Sequence, residues 1–380
     1  MLAVAVGCSA AADPAGQAGA SPGATHSSHA APVTPAAPLR AGERFATIAV
    51  PRPYAPQPPN GGTDEYRCFL VDPALRRPAF LTGTRFVPSN ADVVHHAIVY
   101  KVRATDVPVA RTLDGGDPED GWTCFGGTGI AGTDPAHAMD AGGDWIAAWA
   151  PGMGEDRLPA GTGHRIEPGA QLVLQVHYNL LRAPAGATDR PGIQLRLAPG
   201  TDRLVPLRTQ LLPAPVELPC AAGESGPLCD RTAAVFDVIR RLGDPAGARV
   251  AGLSLLCRPG GRPTTGGVQS CDHPIRYAGR VYAVGGHMHL LGTRITVRLN
   301  HGRPGARTLL DVDPYSFHDQ RIVPLPKPVA VRAGDTLRVT CHHDASQRPH
   351  LAELRGLPPR YVVWGDGTGD EMCLGVVIHS

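Results

Sequence analysis

The apolar stretches of this chain alternate in twos, and helical spacing is nearly absent from it. The clearest case is Gln171-Leu-Val-Leu-Gln-Val-His-Tyr-Asn179, in which Leu172, Leu174, Val176 and Tyr178 share one face of a strand while Val173, Gln175 and His177 share the other. Residues 65–71, 93–102, 280–284, 336–341 and 369–378 also read as strands. Glycine and proline, 85 of the 380 residues, separate such runs and keep them short, while 42% hydrophobic residues are enough to pack them into cores. Arg231 to Leu242 is the best helix candidate. An all-β chain is therefore expected, long enough for two domains of ordinary size.

The first 44 residues differ in texture. Met1-Leu-Ala-Val-Ala-Val-Gly-Cys8 resembles the lipid-attachment end of a bacterial lipoprotein signal, although the first basic residue is Arg40, whereas a secretory signal opens with positive charge. Residues 9–44 are rich in Ala, Pro, Ser and Gly and read as a disordered tether. A Pro-rich stretch over residues 198–215 marks a boundary, which gives expected domains of 45–205 and 206–380. No later run is long and apolar enough to span a bilayer, so membrane contact is expected only through a lipid anchor at Cys8. The net charge of +2, with scattered Lys and Arg, argues against nucleic acid.

Of nine cysteines, eight remain when Cys8 is set aside, and none forms a Cys-x-x-Cys pair. An even number without metal-type spacing suits disulfides in an exported protein, extracellular or in the cell envelope. Cys220, Cys229, Cys257 and Cys271 are expected to staple loops around one short helix, with their pairing open. A bridge from Cys341 to Cys373 would tie two strands side by side and bring Met372 to the sheet that carries residues 285–292.

Sixteen histidines exceed what solvation needs. In Gly285-Gly-His-Met-His-Leu-Leu-Gly292, His287 and His289 follow a strand and point the same way, so they can hold one metal ion from one side. Adjacent His95 and His96 point to opposite faces of a regular strand. They reach one metal only if the strand is bulged or twisted there, and are otherwise one core and one surface histidine. Gln175 and His177, polar on an apolar strand, need hydrogen bonds or a metal. His137, His164, His318, His342 and His343 read as structural or surface residues.

The order of these motifs resembles the copper type II, ascorbate-dependent monooxygenases, the family of peptidylglycine alpha-hydroxylating monooxygenase and dopamine beta-monooxygenase. Tyr66-Arg-Cys68, His95-His96, Ala148-Trp-Ala-Pro151, Leu158-Pro-Ala-Gly161, Leu174-Gln-Val-His-Tyr178, His287-x-His289 and Asp370-Glu-Met372-Cys-Leu374 carry the resemblance, over roughly residues 60–380. It implies two tandem jelly-roll-like β-sandwich domains and two coppers per chain. It also implies that His95, His96 and His177 hold one copper, which passes electrons, and that His287, His289 and Met372 hold the other, which activates dioxygen. A thioether favours Cu(I), which suits the second role. Gln175, which shares a strand face with His177, reads as a catalytic candidate that stands behind the ligands or between the coppers. The two trios are expected on either side of a solvent cleft.

The activity implied is hydroxylation of a C–H bond in a small organic substrate by dioxygen, with electrons from ascorbate or a similar reductant. The alternative is a surface-tethered copper-binding protein without turnover. A zinc hydrolase fits less well, because a thioether is a poor Zn(II) ligand and no His-Glu-x-x-His is present. Two positions depart from the peptide-amidating branch of the family. Gly285 stands where that branch has a carboxylate-binding Arg, and Val376 where it has a Tyr.

Overall fold

A computed structural model describes the chain except residues 1–34, 60–61, 116–120, 126, 131–143, 151–152, 182, 185 and 318. The lipoprotein-like start at Cys8 and most of the expected tether lie outside the described residues, as do His137 and His318.

The chain is all-β, built from two sandwiches in tandem. In the first, one sheet has the order Arg44–Ala49, Gly192–Pro199, Ala79–Val87, Thr162–Ile166, Val205–Pro206. Its partner sheet has the order Trp122–Thr123, Asp64–Val71, Gln171–Asn179, Val94–Val102, Asp144–Trp149. The alternation of Gln171–Asn179 explains its central place. Leu172, Leu174, Val176 and Tyr178 fill the core between the sheets, whereas Val173 packs on the outer side with Tyr66, Tyr100 and the short helix Val107–Leu113. The segment just before the first strand is held by a buried cation. Arg196 bonds Glu43 at 2.8 Å, Glu155 at 2.7 Å and the carbonyl oxygens of Ala37 and Pro38.

The chain passes to the second sandwich at Leu207. One sheet there has the order Arg208–Pro213, Leu374–His379, Gly279–His287, Val323–Val331, and the facing sheet Val268–Pro274, Thr336–His343, Gly292–Leu299, Arg307–Val312. Gly286 lets the two sheets approach, since a Cβ there would stand 2.6 Å from Cγ2 of Ile295.

Three expectations need correction. Between Cys220 and Cys271 lie two helices, Arg231–Leu242 and Asp244–Cys257, where one was expected. The second mixes small and apolar residues around its circumference, so no stripe betrays it. The four cysteines pair as Cys220–Cys229 and Cys257–Cys271, and Cys68 pairs with Cys124. The bridge Cys341–Cys373 does form, but it joins two facing sheets instead of tying neighbouring strands. What brings Met372 to the histidine sheet is backbone pairing of Leu374–His379 with Gly279–His287. The third correction, the absence of a cleft between the histidine groups, belongs to the sites themselves.

Candidate metal centres

In the first sandwich, one irregularity places three imidazoles together. Val94 pairs with Tyr178 but His96 pairs with His177, so the strand bulges at His95. An inserted residue turns the adjacent ring toward the side its neighbour faces. The Nδ1 atoms of His95 and His96 lie 3.1 Å apart, and those of His96 and His177 3.4 Å. Among the described residues, one nitrogen from each ring lies within 4.8 Å of the other two.

His177 is fixed from behind. Its Nε2 lies 2.9 Å from Oδ1 of Asp64, which leaves Nδ1 for the cluster, and Tyr66 stacks on the ring at 4.2 Å between centroids. Burial works to raise the Asp64 pKa, but the His177 hydrogen bond and charge, with Thr368 and Asn179, outweigh it and hold the carboxyl far below its usual range. Burial also holds His95 and His96 well below the usual imidazole range, reinforced by the neighbouring rings. Neutral, closely spaced imidazoles are what a metal ion requires of its ligands.

In the second sandwich, His287 ends its strand and His289 lies just past it, with ring centroids 5.2 Å apart. Each has one nitrogen engaged. Nδ1 of His287 meets Gln320, and Nδ1 of His289 lies 3.1 Å from the Asp370 carbonyl oxygen. Among the described residues, Nε2 of His289 is buried with no hydrogen-bond partner, as is Nε2 of His95. A buried, unpaired ring nitrogen is costly unless a ligand completes it. Burial, with His289 nearby, pushes His287 down to about 3.

Met372 is buried beside this pair. The strand register ends with His287 opposite Leu374, and the two residues just before Met372 bond His289, through the Asp370 carbonyl oxygen and the Glu371 carboxylate. Nε2 of His343 lies 3.1 Å from the Met372 carbonyl oxygen and 3.4 Å from Glu371, while Glu371 accepts hydrogen bonds from the backbone N–H groups of His289 and Leu291. His343 is thus a buried support of the Met372 segment.

The two groups are not separated by solvent. The rings of His96 and His287 are 5.8 Å apart, and Phe317 packs on His95 at 4.8 Å. Among the described residues no cleft separates the two groups, since ring contacts through Phe317 and His287 join them. Gln175 is held by hydrogen bonds on the face of the strand that carries His177. Its Nε2 donates to the Cys124 carbonyl at 2.9 Å and its Oε1 accepts from Tyr100 at 3.3 Å, so its amide braces the strand beneath His177.

Sequence reasoning passed over the roles of Asp64, Gln320, Glu371 and Thr368, and read His343 as a structural or surface histidine. Asp64 carries a faint signal, since it begins the strand whose Tyr66 pairs with His177. The others depend on loop geometry. His164 lies apart from both groups, with Nδ1 3.1 Å from the Leu207 carbonyl oxygen.

Residues 267–379 match the profile of the family described as copper type II ascorbate-dependent monooxygenase, C-terminal domain. That span holds His287, His289 and Met372. Among solved structures, the chain is similar to xanthan lyase of Paenibacillus, 12% identical over 87% of this chain and 26% of that one, with a TM-score of 0.20. It is similar also to dimeric latent PorU from Porphyromonas gingivalis, 12% identical over 84% and 24%, with a TM-score of 0.15. Vicilin from tomato, Solanum lycopersicum, is 8% identical over 89% and 74%, with a TM-score of 0.13. The chain spans about a quarter of the length of the first two. Structural likeness at this level carries no argument about function.

Proposed function

We propose, since residues 267–379 match the C-terminal domain of copper type II ascorbate-dependent monooxygenases, that the chain is a two-copper monooxygenase hydroxylating a C–H bond of a small organic molecule. The observation that carries this reading is the pairing of two distinct donor sets, an all-imidazole trio and a pair of imidazoles beside a methionine. Copper held there would supply one-electron reducing equivalents at the first set and dioxygen activation at the second.

The protein's own groups define the rest. Asp64 and Tyr66 fix the His177 ring, the Asp64 bond leaving its Nδ1 for the centre, and the bulge at His95 brings the other two rings to it. Gln320 and the Asp370 carbonyl engage Nδ1 of His287 and of His289, which leaves each Nε2 as the proposed ligand atom. Hydroxylation needs two electrons beyond those the substrate gives, and two singly reducible centres store them. Ascorbate or a similar reductant is proposed to refill both. Four disulfides among the described residues fit an oxidising compartment outside the cytoplasm. An anchor at Cys8 would keep the enzyme at the cell surface.

The test is dioxygen uptake with copper and ascorbate across a panel of small substrates, comparing the wild type with Met372→Ala. Substrate-dependent uptake that falls at least about a hundredfold in the variant supports the reading, that being the scale on which a lost reaction-specific interaction acts. Copper bound without substrate-dependent uptake favours the alternative, a tethered copper-binding protein.

A further inference from the structure

The loop from Gly365 to Glu371 touches the supports of both histidine groups. On one side, the Asp370 carbonyl oxygen meets Nδ1 of His289 at 3.1 Å, and the Glu371 carboxylate accepts from the His289 backbone N–H at 2.8 Å. On the other, the Asp366 carbonyl oxygen accepts from the Tyr66 hydroxyl at 2.8 Å. Thr368 Oγ1 donates to Oδ1 of Asp64 at 2.7 Å and accepts from Asn179 Nδ2 at 3.0 Å. Tyr66 and Asp64 are the groups that stack on and bond His177.

The loop is built to be stiff. The Asp370 carboxylate bonds Arg241 at 2.6 and 2.9 Å and accepts from the Gly367 N–H at 3.2 Å. Cβ atoms at Gly365 and Gly367 would stand 2.7 and 2.8 Å from that carboxylate, so only glycine lets the chain wrap it so closely. Thr368, at the crest of this wrapped loop, is 7% exposed.

We propose that Thr368 is a positioning residue that couples the two domains, holding Asp64 so that the orientation and basicity of His177 depend on the seating of the His289 loop. This inference rests on the two-copper reading above for its redox consequence, but the coupling itself is a property of the protein alone. Asp64 Oδ1 is shared by His177, Asn179 and Thr368. Removing the Thr368 donor leaves more of the carboxylate's charge to the His177 N–H. The imidazole then becomes a stronger donor, which favours the oxidised metal.

Two measurements on the full chain test this with Thr368→Val, Thr368→Ser and Thr368→Ala. The first is amide hydrogen exchange of the metal-free protein. Thr368→Val should speed exchange about three- to tenfold, the scale of one hydrogen bond, in residues 365–371 and also in residues 62–66 and 177–181 across the interface, with Thr368→Ser close to wild type. Faster exchange confined to residues 365–371, or none, overturns the coupling. Thr368→Ala serves in the same comparison if Thr368→Val does not fold. The second is a redox titration of the copper-loaded protein followed by electron paramagnetic resonance. Thr368→Val should lower one of the two copper potentials and leave the other, and Thr368→Ser should restore it. Potentials that both stay, or both move equally, overturn the tuning. A wild-type chain that holds no copper defeats the two-copper reading and leaves the exchange result to decide the coupling.

Discussion

Gly285 and Val376 stand directly opposite each other in the antiparallel pairing of Gly279–His287 with Leu374–His379. They are the two positions at which this sequence departs from the peptide-amidating branch it resembles, so one patch of one sheet lacks both that branch's carboxylate-binding Arg and its Tyr. The space has been refilled. A Cβ at Gly285 would lie 3.1 Å from Cγ1 of Ile322 and 3.4 Å from the Arg321 carbonyl oxygen. A peptide ending in glycine should therefore produce no dioxygen uptake above the substrate-free rate in ascorbate assays. Turnover of such a peptide would show that another group recognises the carboxylate.

Asp64 orients the His177 ring through a single 2.9 Å contact. Asp64→Asn keeps the volume but loses the charge, and should weaken copper binding at the three-histidine site about 10- to 100-fold. Competition with a copper chelator reads this directly, and one of the two coppers should be lost first.

Gly286 sits where the sheets of the second sandwich meet. Gly286→Ala places its Cβ 2.6 Å from Cγ2 of Ile295 and should destabilise the fold by about 1–3 kcal/mol in urea unfolding. Shortening the neighbour relieves the clash, so Gly286→Ala with Ile295→Ala should cost less than the sum of the single changes.

Asp156 lies at the domain interface, and burial, with Glu155 beside it, raises its carboxyl to about 6. A raised carboxyl pKa means that ionisation opposes folding. The cost is absent below the unfolded value near 3.8 and complete above about 6, so this group makes stability fall as pH rises through that window. Asp156→Asn should raise stability by about 1–3 kcal/mol at pH 7.5 and change little at pH 4. Thermal melts at the two pH values give the comparison, and equal effects at both would contradict it.

Much of the architecture was legible because strands declare themselves by alternation. Gln171 to Asn179 could be assigned, with its faces, before any coordinates, and Arg231–Leu242 could be read as a helix from its spacing. The helix Asp244–Cys257 was hidden by its even coat of small and apolar residues. The histidines were visible as residue types in order. Sequence could state that adjacent His95 and His96 need a bulge to meet, but only the strand register shows one. The groups that orient the rings were invisible for a different reason. Asp64 and Thr368 are separated by 304 residues, and nothing in either neighbourhood announces a partner so remote. The contact between His96 and His287 was missed likewise, because how two domains seat against each other depends on loops such as the one carrying Phe317.

The central claim is that the chain holds two coppers, one per histidine group, and counting copper per purified chain tests it most directly. The account predicts two equivalents in the wild type, one in the double variant His287→Ala, His289→Ala, and one in His95→Ala, His96→Ala. A wild-type chain with no copper, or a double variant that still holds two, would contradict it.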